Sequence, residues 1–263
     1  DNFCWPDSVE SAKTPDGRYK LAQLVRANRA IDDVCRAYRL PCISGKDSMK
    51  NDVTMHGEKI SVPPTILFSL IGNHADVRKA VSSDFKRAGD HIYLLGETHQ
   101  ELGASELAFM FRDEGSGGIG GEVPRINPER NLAMYRALTS AMSEGLVASA
   151  HDCSDGGLAV ALAESCFGSG SGAVVDISSL ERDCNHLDEW GALFGESLGR
   201  ILVSVAPSDS DAFAAAMKDC SCSRLGTVEQ GDMITVNYGE NDVLQASLME
   251  LKQAWQDSLG GDA

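Results

Sequence analysis

The sequence predicts an α+β protein made of two α/β sandwich domains, and three observations carry that expectation. Strand-length apolar runs and amphipathic helical stretches are mixed along the chain, but without the regular strand–helix–strand alternation of a doubly wound sheet. The composition changes after Asn73, where a charged connector from His74 to Gly89 separates two sets of elements. The chain has 263 residues and is 43% apolar, enough for two ordinary globular domains. The expected domains are residues 1–74 and 75–263.

Residues 1–19 are polar, with Pro6, Pro15 and Gly17, and read as loop. From Lys20 to Tyr38 the apolar residues Leu21, Leu24, Val25, Ile31 and Val34 fall mostly on one helical face. Cys42-Ile43 reads as a short strand running into a polar turn. Val53 to Ile60 alternates around His56-Gly57-Glu58, the pattern of a small hairpin. Thr65 to Gly72 is an apolar run of the buried β kind. In the second set, strands are expected at Ile92–Gly96, Leu146–Ala150, Ala173–Ile177, Arg200–Val205 and Ile234–Asn237. Helices are expected at Ser105–Phe111, Pro128–Glu144, Gly157–Phe167, Glu189–Gly195, Ser208–Lys218 and Ala246–Trp255. The glycine-rich stretch Glu114–Gly121 reads as a mobile or ligand-covering loop.

Lys plus Arg number 23 and Asp plus Glu 39, a net charge of −16. Such a surface repels nucleic acid and anionic membrane, so neither is an expected partner, and an anionic substrate would need local cations. No apolar run has the length of a membrane span and no signal peptide is visible. The eight cysteines lack zinc-type CxxC pairs, and read as reduced thiols of a cytoplasmic protein. Cys220-Ser221-Cys222 reads as lying near a surface turn.

The chemistry concentrates in His151-Asp152-Cys153-Ser154-Asp155-Gly156-Gly157-Leu158, between an apolar strand-like run and a helix. Asp152 and Asp155 are hard oxygen donors of the kind Mg²⁺ uses when it bridges to phosphate. Gly156 and Gly157 let backbone N–H groups approach an anion at a helix start. The competing reading is a capped helix, with Ser154 or Asp155 as the N-cap residue. His151 is either a base or a partner that orients the turn. The other five histidines are spread without ligand spacing. A second polar stretch, Ser44-Gly45-Lys46-Asp47-Ser48-Met49-Lys50-Asn51-Asp52, offers Lys46 to neutralise a phosphate and Ser48 to donate to one. A solvated turn between strands is its plain alternative.

Several motifs occur here in one order: Asp1-Asn2-Phe3-Cys4-Trp5-Pro6-Asp7, Gly45-Lys46-Asp47-Ser48-Met49, Pro63-Pro64-Thr65, His151 to Leu158, and Gly195-Glu196-Ser197. Through them the chain, from residue 1 to about 255, resembles the second synthase half of the phosphoribosylformylglycinamidine synthase family, within the aminoimidazole ribonucleotide synthetase-like superfamily. The resemblance implies a truncated N-terminal and a complete C-terminal synthetase-like domain. It also implies a reaction in which formylglycinamide ribonucleotide, ATP and glutamine become formylglycinamidine ribonucleotide, with Mg²⁺ and ATP or ADP bound. The implied partners are the first synthase half and a glutaminase domain or subunit; a homodimer through N-terminal sheets is also implied. The chain is then expected to be a fragment, inactive alone.

Residue by residue, the resemblance assigns Asp152 to Mg²⁺ at an auxiliary nucleotide and Ser154 to that nucleotide, with Gly156 giving backbone access. It places Asp1 and Gly45 near ATP and Ser48 near the substrate. Lys46 stands where the short form of the family has an asparagine metal ligand. A charged ammonium cannot coordinate Mg²⁺, so Lys46 is expected on phosphate. Glu196-Ser197 reads as structural. Two rival readings remain: a nucleotide-binding scaffold without catalysis, and another ATP-dependent synthetase or kinase of the same superfamily.

Overall fold

The computed structural model describes residues 1–111, 121–183 and 186–257. The expected ligand-covering loop, apart from Gly121, and Cys184 lie outside the described residues. The chain divides into two compact units, Asp1–Ala75 and Asp76–Ala263.

The first unit contains β1 (Asn2–Cys4), α1 (Gly17–Tyr38), β2 (Lys46–Ser48), β3 (Asp52–Met55), β4 (Glu58–Ser61) and β5 (Thr65–Leu67). β1 is the middle strand of a three-stranded sheet, parallel to β2 and antiparallel to β5. The residues expected to form an opening loop therefore supply the sheet's centre. Phe3 and Trp5 are buried, and the Trp5 indole N–H donates to the Lys20 carbonyl at 3.1 Å, tying α1 to that strand. The expected hairpin is present as β3 and β4, closed at His56-Gly57, both at positive φ. Two expectations fail. The strand placed at Cys42-Ile43 forms instead at Lys46–Ser48, where pairing with β1 decides the register. The apolar run after Thr65 is strand only to Leu67, and Leu70 and Ile71 are 81% and 88% exposed. β5 is an edge strand with one neighbour, so nothing in this unit covers that run.

The second unit contains β6 (His91–Leu95), α2 (Glu106–Met110), α3 (Pro128–Ser143), β7 (Ser149–Asp152), α4 (Gly157–Phe167), β8 (Gly172–Asp176), α5 (Glu189–Phe194), β9 (Ile201–Val205), α6 (Ser210–Ala216), β10 (Cys222–Glu229), β11 (Met233–Tyr238), β12 (Asn241–Ser247) and α7 (Leu248–Asp257). Its seven strands run in the order β12-β11-β8-β10-β6-β9-β7, antiparallel except for β11 beside β8. Side chains alternate across this sheet. Ile92, Leu94 and Leu202 face a core shared with α4, α5 and α7. Tyr93, Leu95, Val203 and Val205 face Met134 and Leu138 of α3 and Phe213 of α6. The sheet thus has helices on both faces, the expected α/β sandwich. α4 is buried on most of its surface, which fits its run of Leu, Ala and Val without a polar stripe.

Three strand assignments change. The strand before the site runs from Ser149 to Asp152, because the β9 ladder pairs His151 with Leu202 and Asp152 with Ile201. Cys222, expected near a turn, opens β10. Ala246, expected to open the last helix, belongs to β12, and α7 starts at Leu248.

Candidate functional site

β7 delivers Asp152 to the end of the sheet, and five residues later α4 begins. Asp152 is therefore the last strand residue rather than part of the turn. Its side chain is 74% exposed. The Ser154 hydroxyl donates to Asp152 Oδ2, so the structure brings the two predicted ligand residues together. That hydrogen bond holds the Asp152 carboxyl below its ordinary range, leaving it ionised near neutral pH. Asp155 is exposed beside it. Cys153 between them is buried, and burial pushes its thiol up to about 11, so it packs rather than reacts.

His151 faces inward from the same strand end. Its Nδ1 lies 2.8 Å from the Asp152 carbonyl oxygen, and its Nε2 lies 3.0 Å from Glu164 Oε2. Glu164 also accepts from the Trp255 indole at 3.0 Å. His151 thus orients the strand end and links β7, α4 and α7, which is the turn-orienting reading of this residue.

The glycines do something the sequence reading did not anticipate. Gly156 sits at φ +77° and Gly157 at φ +66°, a region that favours glycine. A Cβ on Gly157 would lie 2.5 Å from the Gly195 carbonyl oxygen, so the α4 N-terminus packs tightly on the end of α5. The two amides expected to face an anion are already engaged. Gly157 N–H donates to the Ser154 carbonyl at 3.0 Å. Gly156 N–H donates to Glu196 Oε1 at 3.0 Å. The same oxygen accepts from the Glu106 N–H at 2.9 Å. One side chain thereby occupies the starts of α4 and α2, and the expectation of an open Gly156 amide is corrected. The separation of 40 residues between Gly156 and Glu196 hides this contact from any local sequence pattern.

The segment around Glu196 is knitted to residues 97–106. Ser197 is buried and its Oγ accepts from the His99 N–H at 3.0 Å. The buried Arg200 guanidinium donates to the Ser197 and Gly195 carbonyls and to Thr98 Oγ1. Beside this segment lies a cleft of about 840 Å³, whose lining includes Glu97, Glu101, Arg125, Arg130, Asn131 and Ser197. Arg130 pairs with Glu97 and Arg125 with Glu122. No residue of the motif from Asp152 to Gly157 lines it. Of these cleft residues only Ser197 belongs to a motif, and it reads from sequence as structural; the others come from two separate stretches without a motif.

In the first unit the structure brings Asp1, Gly45 and Lys46 together. The Lys46 N–H donates to the Asp1 carbonyl at 3.1 Å, and the Asp1 backbone nitrogen donates to the Ser44 carbonyl at 3.0 Å. A Cβ on Gly45 would lie 2.6 Å from Asp1 Oδ1. Ser48 is further along β2, opposite Cys4, and its carbonyl accepts from the Trp5 N–H at 2.8 Å. Lys46 is exposed.

Among the described residues, no group of three or more His, Cys, Asp or Glu side chains is arranged to hold a metal ion alone. Asp152 is instead an exposed, ionised carboxylate with exposed Asp155 three residues on. That donor set fits Mg²⁺ carried in by a polyphosphate, which needs one or two protein carboxylates and takes its other ligands from phosphate and water.

Residues 87–239 match the family described as AIR synthase related protein, C-terminal domain. Among solved structures, PurL of T. maritima complexed with FGAR is 18% identical at a TM-score of 0.64, over 84% of this chain and 36% of that one. T. maritima PurL complexed with ATP is 16% identical at a TM-score of 0.60, over 85% of this chain and 34% of that one. The hydrogenase maturation protein HypE in complex with ATP is 16% identical at a TM-score of 0.54, over 87% of this chain and 68% of that one. This chain spans about a third of the length of the PurL chains. At these identities the likeness concerns the fold.

Proposed function

The chain belongs to the AIR synthase related protein family through its C-terminal domain, and on that premise we propose that it is part of an ATP-dependent C–N ligase. The reaction proposed is that of phosphoribosylformylglycinamidine synthase in cytoplasmic purine biosynthesis. The observation that carries this reading is the Asp152–Ser154 pair at the junction of β7 and α4. It presents an ionised carboxylate and a hydroxyl beside the start of α4, whose Gly156 amide is held by Glu196, and these are donors suited to a Mg²⁺-polyphosphate.

In this reading Asp152 holds Mg²⁺ and the Ser154 hydroxyl turns to a phosphate oxygen of ATP or ADP. Bound Mg²⁺ supplies charge compensation for the polyphosphate. His151 keeps the strand end in place through Glu164. In the first unit, Asp1 and Gly45 serve ATP, Lys46 a phosphate and Ser48 the substrate; these roles rest on the motif resemblance. The proposed partners are a first synthase half and a glutaminase domain or subunit, with a second copy on the exposed sheet edges of the first unit. Neighbours solved with ATP and with FGAR support the ligand class.

A specific observation favours a second reading, a nucleotide-binding scaffold without chemistry. No residue from Asp152 to Gly157 lines the cleft beside Ser197, so a nucleotide held by that motif would sit apart from the cleft. Calorimetry with Mg²⁺ and ADP, on the wild type and on Asp152→Ala, tests nucleotide binding. Saturable heat lost in the variant supports both readings, and no heat with the wild type overturns both. Turnover of formylglycinamide ribonucleotide with ATP, Mg²⁺ and ammonium, after addition of a first synthase half, separates ligase from scaffold.

A further inference from the structure

Cys35 lies in the last helical stretch of α1, and Cys42 follows the turn that ends it. Their Sγ atoms are 3.7 Å apart. This closeness is built by the backbone. Arg39 takes a left-handed conformation at φ 56°, its N–H donates to the Arg36 carbonyl at 3.2 Å, and the Leu40 N–H donates to the Cys35 carbonyl at 2.9 Å. That hydrogen-bonded reversal returns the chain toward Cys35, and Pro41 stiffens the return. We propose that Cys35 and Cys42 form a redox-active dithiol that closes to an intramolecular disulfide on exchange with a low-molecular-weight disulfide of the glutathione type.

The two thiols have different access. Cys42 is exposed and Cys35 is half-buried. Burial and the hydrogen bond shared with Cys42 both raise the Cys35 thiol above its ordinary range. Cys42 therefore reacts first and Cys35 resolves. The Cys42 thiolate attacks one sulfur of the incoming disulfide, and one glutathione leaves as a thiolate that takes up a proton. Cys35, losing its proton to solvent, then attacks Cys42 Sγ and expels the second glutathione. Two protein thiols are oxidised, one small disulfide is reduced to two thiols, and no other oxidant is needed. A sulfur–sulfur bond requires the atoms to close to about 2.05 Å, a movement within reach of side-chain rotation. Arg39 and Arg36, the latter paired with Asp32 at 2.8 Å, line the same shallow depression of about 550 Å³ as both cysteines, and Arg39 places positive charge beside the carboxylates of such a reagent. By contrast, Cys153 and Cys166 are buried.

The inference is independent of the nucleotide reading. It is tested by incubating the whole chain with glutathione disulfide, quenching with acid, alkylating free thiols and mapping tryptic peptides. Arg36 and Arg39 lie between the cysteines, so cleavage leaves two peptides joined only by the new bond. The expected result for the wild type is a linked pair lighter by two hydrogens, reversed by dithiothreitol, with no lasting glutathione adduct. In Cys35→Ser the adduct stays trapped on Cys42, and in Cys42→Ser position 35 remains open to alkylation. A wild-type chain that keeps glutathione on Cys42, or leaves both positions open to alkylation under conditions that oxidise a reference dithiol, overturns the proposal. Circular dichroism of both serine variants guards against a folding defect.

Discussion

Glu196 Oε1 accepts the backbone N–H of Gly156 at 3.0 Å, and the same oxygen accepts the N–H of Glu106 at 2.9 Å. One carboxylate therefore caps two helices that are far apart in sequence. A side-chain cap and an anion at a helix start each contribute on the order of 1 kcal/mol. Glu196→Ala is expected to lower stability by about 2 kcal/mol in urea denaturation. It also opens the Gly156 amide and removes a negative charge from the proposed phosphate position. The affinity for Mg-ADP, measured on the folded variant, should then rise several-fold. A variant that loses stability without gaining affinity would argue that Gly156 takes no part in binding a phosphate.

Asp152 contributes little to packing, being 74% exposed. Asp152→Asn should leave the melting temperature nearly unchanged while weakening Mg-nucleotide binding by about tenfold or more, the usual consequence of losing a metal contact. The Ser154 bond gives a second readout. It depresses the folded-state pKa of Asp152 below its ordinary value of 3.8. The stability linked to this group is thus present above pH 3.8 and is lost as pH falls through the lower folded value. Carboxyl NMR titration should place the Asp152 midpoint below 3.8 in the wild type. In Ser154→Ala the midpoint should move upward.

Much of this fold was legible wherever pattern and pairing are local. α4 follows from an unbroken Leu/Ala/Val run after Gly-Gly, and the β3–β4 hairpin from alternation around His56-Gly57. What stayed hidden depends on distant partners. β10 is absent from the expected strands because Ser223, Arg224 and Gly226 interrupt its apolar residues. It is nonetheless interior to the sheet, paired with β6 and β8. Gly226 belongs there because a Cβ would lie 1.9 Å from the Val174 carbonyl oxygen. β12 is a polar edge strand, and β1 needs β2 and β5 to become a strand at all. At the site, the pairing of Asp152 with Ser154 comes from the motif resemblance, and the residues alone offer Asp152 with Asp155. The Glu196 cap and the cleft beside Ser197 were not legible, because their residues converge only after the sheet forms.

Asp90 is a buried carboxylate, 2% exposed, whose Oδ2 has no hydrogen-bond partner among the described residues. Burial raises its pKa above 3.8, and the Arg87 charge offsets this in part. The unfolded chain gives up this proton at lower pH than the folded one. Stability therefore falls as pH climbs from 3.8 through the folded value, and the deficit is complete above it. Asp90→Asn removes the titration. It should be more stable than the wild type by about 1 kcal/mol at pH 7 and show no gain near pH 3.5. Urea denaturation at the two pH values checks this, and an equal gain at both would place the effect in packing rather than charge.

Gly157 and Gly145 both adopt positive φ, +66° and +80°, but in different surroundings. A Cβ on Gly145 would meet nothing within 4 Å, whereas on Gly157 it would lie 2.5 Å from the Gly195 carbonyl oxygen and 2.8 Å from that of Leu193. Gly145→Ala should cost only the left-handed strain, about 1 kcal/mol. Gly157→Ala adds a backbone clash at the α4–α5 contact and should cost about 3 kcal/mol or more. For a domain of this size that corresponds to a melting-temperature drop on the order of 10 °C. The comparison isolates close approach from backbone conformation, because both variants carry the same side chain. Equal losses in the two would mean that α4 can slide away from α5, and that Gly157 serves the turn's conformation alone.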